Sequence, residues 1–231
     1  MSEIVKPIFN ESRRQLLIAA AGITGEAILT GSAQAGSSQT SGTDGANTKI
    51  ARFVADCIVA NNEHDPQAAV LEVLAKAVHN PGEMLGALGE PNEAGIKVLH
   101  RSKTLTIFNA AWTAQMNLMP HNHLMWANIG IYTGREDNII WQQTRESIEA
   151  VGAKALFAGD VTALSSDVIH SVTNPLLRFT GGIHIYGGDF FDTTRSQWNP
   201  ETLKLEPSDG ATIRHMFELE NKRMRAHQRQ L

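Results

Sequence analysis

Two histidines separated by one residue, His121 and His123, are the first side chains in the sequence that could do chemistry together. They follow Pro120, and alternate residues of an extended chain project to the same side. Both imidazoles can therefore reach one metal ion. Because the chain contains nine histidines, chance pairs are expected, and this spacing is weak support by itself.

Two segments of the chain resemble, in the right order, the two sequence motifs of the cupin family. Gly134 stands at the distance expected of the glycine that closes the first motif. Residues 159–174 resemble the second motif. Its glycine, histidine and asparagine correspond in register to Gly159, His170 and Asn174. The resemblance implies one divalent metal, with iron favoured, bound by three histidines: His121, His123 and His170.

The sequence departs from the cupin pattern at positions that bear on the metal. Most cupins add a glutamate ligand on the strand after the histidine pair, but the candidate positions hold Ala127 and Asn128. Three neutral imidazoles would leave coordination positions open, as in the facial sites of non-haem iron oxygenases. Zinc also accepts three imidazoles and one water, so ligand type alone does not exclude it. Ser165 and Asp167 replace the second motif's proline and glycine, which affects its turn but not the ligand position.

Residues 105–198 further resemble the cysteine dioxygenase-like branch of the cupins, which includes bacterial 3-mercaptopropionate dioxygenases. In that branch a Ser-x-His-x-Tyr row lies beside the iron. His184 and Tyr186 match the row, and Gly182 replaces its serine. The resemblance implies that the tyrosine faces substrate and oxygen and that the histidine orients it. Independently of the resemblance, the alternation of side chains along a strand puts Gly182, His184 and Tyr186 on one face. The alternative is a buried tyrosine and histidine that satisfy each other.

Two arginines are candidates for binding a substrate carboxylate, since a planar guanidinium can hold two oxygens at once. Arg195 lies downstream of the tyrosine at a spacing like that of the mercaptopropionate enzymes, and we favour it. Arg101 resembles less closely the arginine of the cysteine enzymes. Either could be an ordinary surface charge. The cysteine that is crosslinked to the tyrosine in some relatives has no counterpart, because the sole cysteine, Cys57, lies in an N-terminal helical pattern as a buried thiol.

The resemblance implies a non-haem iron(II) thiol dioxygenase that oxidises a small carboxylated thiol, 3-mercaptopropionate or cysteine, with O2 to its sulfinate. One alternative is a cupin enzyme that acts on a non-thiol small molecule through zinc or manganese Lewis-acid chemistry. Another is a non-catalytic cupin that holds a small ligand or a metal, because fold does not imply catalysis.

Beyond Gly95 the sequence breaks into short segments rich in β-branched and aromatic residues, separated by Gly, Asp, Asn or Pro. These predicted strands are 104–112, 125–132, 138–143, 153–158, 161–164, 168–172 and 177–186. Strands with no helices between them predict an antiparallel sandwich or barrel. With the cupin resemblance, the fold class is all-β: a double-stranded β-helix, or jelly-roll barrel, over residues 96–210, with flanking helices.

Helical spacing of apolar residues flanks the predicted barrel. In residues 49–95 it predicts two helices with a boundary at Asp65-Pro66, which support the fold without doing chemistry. Residues 211–231 predict a C-terminal helix whose charged end faces solvent. Residues 36–48 are almost wholly small and polar, which predicts a flexible linker.

Residues 1–35 resemble a twin-arginine export signal. An Arg-Arg pair precedes a mildly apolar stretch, and residues 33–35, Ala-Gln-Ala, fit a cleavage site. Glu26 within the apolar stretch instead favours an ordinary surface helix. Export would make the twin-arginine machinery a partner and the protein periplasmic, and without export the protein is cytoplasmic.

Composition limits the other partners. The net charge of −4 gives no basic surface, which argues against nucleic acid and against an anionic membrane surface. No apolar run suits a mature transmembrane helix, so no stable membrane association is expected. With 42% hydrophobic residues, the chain can bury one sizeable core. The expected partners are a small thiol and O2.

Overall fold

The computed structural model describes residues 41–208 and 210–229, which form four helices and eleven strands. The helices are α1 (Ser41–Ala60), α2 (Pro66–Val78), α3 (Pro81–Leu88) and α4 (Gly210–Gln228). The strands are β1 (Gly95–Arg101), β2 (Thr106–Trp112), β3 (Asn117–Asn122), β4 (Ala127–Thr133), β5 (Arg135–Gln143), β6 (Ile148–Phe157), β7 (Val161–Leu164), β8 (Ile169–Thr173), β9 (Thr180–Tyr186), β10 (Ser196–Trp198) and β11 (Leu205–Pro207). The export signal predicted for residues 1–35 lies outside the described residues.

Two antiparallel sheets make up the barrel. One has five strands in the order β1-β2-β9-β4-β7, and the other has six in the order β11-β10-β3-β8-β5-β6. Most hydrogen-bonded neighbours are distant in sequence, as in β2 with β9 and β3 with β8, so the chain crosses repeatedly between the sheets. Apolar side chains from both sheets form one core between them, including Phe108, Leu118, Ile129 and Val172. The predicted all-β jelly-roll barrel with flanking helices is confirmed.

Two inner strands of the five-stranded sheet, β4 and β9, are buried on both faces. Every residue of β4 and β9 is buried, because the face that points away from the barrel packs under the N-terminal helices. Leu74 of α2 fits against β4 at Gly130, where a Cβ would stand 2.9 Å from the leucine Cδ1. Cys57 of α1 is fully buried in the same layer. Burial, with a smaller contribution from the charge of Asp56, raises the pKa of its thiol to about 12.

The two motif glycines occupy turns that need them. Gly134 and Gly159 have φ of 80° and 95°, in the left-handed region where a side chain is strained. The motif asparagine, Asn174, is fully buried and donates to the backbone carbonyls of Thr113 and Arg178, each at 2.8 Å. These hydrogen bonds tie the turn after β8 to the rest of the barrel.

Helix α4 closes one side of the barrel. Ile213 and Phe217 pack on the core between the sheets. The Asn221 amide exchanges two hydrogen bonds with the backbone of Ala94, at 2.7 Å and 2.9 Å, just before β1 begins. The C-terminal helix is thus fixed to the barrel as well as exposed to solvent. Within the described residues, no helix is long and apolar enough to span a membrane.

The N-terminal helices differ from the prediction in two ways. A third helix begins at Pro81, a residue type that suits the first helical position because it has no N–H to satisfy there. Helix α1 begins at Ser41, so the linker predicted for residues 36–48 is wrong from residue 41 onward, and residues 36–40 lie outside the described residues. The C-terminal half of α1, with Phe53, Cys57 and Ala60 buried, anchors the helix, and propagation from an anchored segment is easier than nucleation.

Four strands were not predicted: β1, β3, β10 and β11. Pro120 counts against a strand in β3, because proline cannot donate to a ladder. The structure accommodates it at a register shift between Leu118 and His121. Strands β10 and β11 have three residues each, too few for an alternating pattern to be recognised.

Candidate metal centre

Neighbouring strands bring the three predicted metal ligands together. His121 of β3 and His170 of β8 are direct partners across the sheet, and His123 lies just beyond the end of β3. The Nε2 atom of His123 lies 3.2 Å from Nε2 of His121 and 3.1 Å from Nε2 of His170. All three are buried, and the candidate ligand atoms lie within 4.8 Å of one another. This triad could hold a metal ion.

Two of the three pairs of donor atoms have the spacing that a metal ion requires. Two imidazole nitrogens bound at ~2.1 Å to one ion, with an angle of ~90–110° at the ion, lie about 3.0–3.4 Å apart. The separations of 3.1 Å and 3.2 Å fall in that range. The Nδ1 atoms of His121 and His170 lie 3.0 Å from the Met119 carbonyl and 2.6 Å from Asn138 Oδ1, so each can donate outward while Nε2 points into the site.

Burial keeps the three imidazoles in the form that binds metals. It lowers the pKa of His121 to about 4, and it lowers the pKa of His123 and His170 well below the ordinary value. The neighbouring histidines add to the effect at the latter two. Neutral imidazole offers a lone pair, so the site does not need to lose protons before it takes up an ion near pH 7.

The described residues add no carboxylate to the triad. Ala127 and Asn128 are buried on β4, where most cupins carry the glutamate ligand. The Asn128 amide donates a hydrogen bond of 2.9 Å to the backbone carbonyl of Gln67 on α2, outside the barrel. The set of possible ligands is therefore neutral, as the sequence predicts.

His184 and Tyr186 lie beside the triad on β9. The tyrosine hydroxyl is 3.4 Å from Nδ1 of His184, and its ring stands edge-on to that of His123 at 4.9 Å between centroids. Burial raises the pKa of the tyrosine, so its hydroxyl keeps its proton. A Cβ at Gly182 would stand 2.8 Å from Cδ1 of Ile131, so a serine would fit there only after a shift of Ile131.

The structure separates the two candidate arginines. Arg195 lines the same cavity as His121 and His170, with its guanidinium carbon 3.7 Å from the centre of the Phe190 ring. No acidic side chain in the described part of the chain pairs with it, and burial lowers its pKa. Arg101 is about half exposed and pairs with Asp189 at 2.8 Å, outside the cavity. Only Arg195 is brought to the site.

The cavity at the triad is small and mostly apolar. Its volume of about 40 Å³ leaves room for roughly three waters. Phe108, Trp112 and Phe190 supply much of the wall, and Ile213 and Phe217 of α4 complete it. A larger cleft of about 650 Å³ lies between α1, α2 and α3, but it is open to solvent and the triad is not part of it.

Glu136 on β5 is a buried carboxylate that the sequence reasoning missed. It is fully buried, and it accepts hydrogen bonds from Nε1 of Trp112 and Nδ2 of Asn138, both at 3.0 Å. Its Oε2 also lies 3.3 Å from Nε2 of His184. The predicted strand began at residue 138. Had it been extended back to Gly134, alternation would have put Glu136 and Asn138 on one face.

No family model matches the chain, and no curated protein matches it by sequence. Among solved structures, a cupin family protein from Methanocaldococcus jannaschii resembles it with 10% identity and a TM-score of 0.37, over 44% of this chain and 85% of that one. An uncharacterised double-stranded β-helix protein from Klebsiella pneumoniae has 11% identity and a TM-score of 0.35, over 52% and 89%. An oxalate decarboxylase variant from Bacillus subtilis has 13% identity and a TM-score of 0.35, over 43% and 27%. These likenesses say nothing about activity.

Proposed function

We propose that the protein is a non-haem iron(II) thiol dioxygenase that converts a small carboxylated thiol, 3-mercaptopropionate or cysteine, to its sulfinate. The observation that carries the proposal is a neutral cluster of three histidines, two of which line one small cavity with Arg195, and Arg195 has no acidic partner among the described residues. Such a ligand set suits a ferrous ion, and such an arginine suits a carboxylate. Both atoms of O2 pass to the sulfur, so thiolate and O2 give sulfinate and nothing else.

The triad of His121, His123 and His170 would hold the ion. The chemistry that iron(II) supplies when bound is the coupling of O2 to a thiolate sulfur. The chain supplies three neutral nitrogens, which leave the positive charge of the site uncompensated. An uncompensated charge favours a thiolate over a thiol in the cavity.

Arg195 would bind the substrate carboxylate. Burying a guanidinium without an anion is costly, and a carboxylate that enters the cavity removes that cost through two parallel hydrogen bonds. The Phe190 ring lies against the guanidinium and limits its movement. The carboxylate end of the substrate is thereby fixed, and the other end is directed toward the triad.

Tyr186 would donate a hydrogen bond to the reacting atoms. Its hydroxyl keeps its proton because burial raises its pKa, and His184 lies within 3.4 Å to orient it. The aromatic walls exclude bulk water, which strengthens a hydrogen bond to a charged thiolate.

A second candidate function is a zinc or manganese cupin that acts on a small acid without a thiol. The same arginine favours it, because Arg195 recognises the carboxylate and not the sulfur. A non-catalytic cupin that retains a small acid is the remaining alternative.

Oxygen uptake by the iron(II)-loaded protein separates these functions. The substrates are 3-mercaptopropionate, cysteine and cysteamine, and cysteamine is the matched thiol without a carboxylate. We expect uptake with the first two, little with cysteamine, and none in His170→Ala. No uptake from any thiol by protein that holds iron would contradict the dioxygenase. Turnover of a non-thiol acid would then support the second candidate, and tight retention of an acid without turnover would support the binding protein.

A further inference from the structure

Glu136 is a buried anion with no Lys or Arg partner among the described residues. Its carboxylate contacts only three polar side chains, those of Trp112, Asn138 and His184. A buried carboxylate is tolerated where hydrogen bonds to the charged form replace its hydration. Burial alone would raise the pKa of this carboxyl, but the hydrogen bonds that it accepts lower it, so the group is an acceptor at both oxygens.

The carboxylate fixes the orientation of Asn138. An ionised carboxylate accepts hydrogen bonds only, so the amide must present its NH2 group to Glu136, at 3.0 Å. The amide oxygen then faces His170 Nδ1, at 2.6 Å. This nitrogen must carry the hydrogen, which leaves the lone pair of His170 on Nε2, the atom that faces the triad.

The same carboxylate fixes the hydrogen on a second histidine. His184 Nε2 lies 3.3 Å from Glu136 Oε2, and although the hydrogen bond is not well aligned, an acceptor at that distance favours a hydrogen on Nε2. Nδ1 of a neutral His184 is then the acceptor. The Tyr186 hydroxyl, 3.4 Å away, has one hydrogen to donate, so bound substrate would compete with this atom for it.

We propose that Glu136 is a positioning residue that sets the tautomers of two histidines, the metal ligand His170 through Asn138 and the tyrosine partner His184 directly. One carboxylate in this way connects β8 of one sheet with β9 of the other around the cavity. The inference rests on the proposed metal centre but does not need the thiol chemistry. Partners that fix a ligand histidine affect metal affinity by roughly 10- to 100-fold.

The test compares Glu136→Gln with Asp137→Asn. Glutamine keeps the shape, and its oxygen must face Trp112 and His184, which share Oε2 of Glu136, so its NH2 group faces Asn138 and turns that amide. Asp137 is the matched control, because it undergoes the same charge change one residue away, where its partner is Arg135 at 2.6 Å. Nitrogen-15 NMR of the metal-free protein reads the histidine tautomers, and titration with Co(II) gives its Kd.

In the wild type we expect hydrogen on Nδ1 of His170 and on Nε2 of His184. Glu136→Gln should move the hydrogen of His170 from Nδ1 to Nε2 and raise the Co(II) Kd about tenfold, and Asp137→Asn should change neither. A purely structural role would lower the melting temperature of Glu136→Gln without moving either reading. Unchanged tautomers with a Kd within about twofold, or a wild-type His184 with hydrogen on Nδ1, would overturn the inference.

Asn138→Ser tests one arm of the inference if Glu136→Gln does not fold. It should raise the Co(II) Kd while His184 keeps its hydrogen on Nε2, because the contact of His184 with Glu136 is untouched. An unchanged Kd would overturn the link to His170. Neither readout uses a thiol or O2, so failure of the dioxygenase proposal and failure of this inference are distinguishable.

Discussion

Replacement of Arg195 by glutamine should cost most of the selectivity for carboxylated thiols. The guanidinium lines the cavity, lies against Phe190 and has no acidic partner in the described part of the chain, so a substrate carboxylate would be its counter-ion. Two hydrogen bonds to a charged group at ~1.5 kcal/mol each give about 3 kcal/mol. This is roughly a 100-fold loss in kcat/KM for 3-mercaptopropionate.

The assay is steady-state oxygen uptake with iron content measured for each variant. Arg101→Gln is the matched control, because Arg101 pairs with Asp189 outside the cavity and its loss should change kcat/KM by less than about twofold. Cysteamine, which has no carboxylate, should be used equally poorly by the wild type and Arg195→Gln. The reasoning is refuted if Arg195→Gln stays within about threefold of the wild type, or if Arg101→Gln shows the larger loss.

Three further predictions address the tyrosine, the packing and the thiol. Tyr186→Phe should lower kcat about tenfold at unchanged iron content, since one hydrogen bond to a charged group is lost; an unchanged kcat would remove its role. Gly130→Ala should destabilise the fold by about 1–3 kcal/mol in urea unfolding, because its Cβ would overlap Leu74, whereas Gly152→Ala on the exposed face of β6 meets nothing within 4 Å and should not destabilise it. Equal stabilities would contradict that packing. Cys57, whose pKa is about 12, carries almost no thiolate at pH 8 and should react with a thiol reagent only after unfolding; fast labelling of the native protein would contradict its burial.

The cluster of three histidines was predictable because its signals are local. His121 and His123 lie two residues apart, and the second motif fixes His170 through the register of Gly159 and Asn174. The structure gives a physical reason for each of these two motif residues. Gly159 lies in a turn with positive φ, and Asn174 is buried and donates hydrogen bonds to the backbone.

Other parts of the site depend on contacts between distant segments, which no local pattern encodes. Glu136 is surrounded by Trp112 of β2, Asn138 of β5 and His184 of β9, and only the fold brings these together. The cavity wall likewise combines distant segments, since Phe217 of α4 closes a cavity lined mainly by strand residues. A charged residue in a strand segment is by default an exposed one, and the exception is recognised only when its partners are known.

The choice between the two arginines also needed the fold. Both have sequence spacings that resemble relatives, and spacing does not report direction. The structure directs Arg195 into the cavity, and it leaves Arg101 at the surface with Asp189. Local sequence limits the candidates, and tertiary structure selects between them.

The most direct test of the central claim is the origin of the oxygen atoms in the product. Iron(II)-loaded protein is mixed with 3-mercaptopropionate under ¹⁸O2, with His170→Ala as the control, and the product is analysed by mass spectrometry. The account predicts a sulfinate that carries two ¹⁸O atoms and is absent from the control. No sulfinate from protein that holds iron, or a sulfinate without the label, would contradict it.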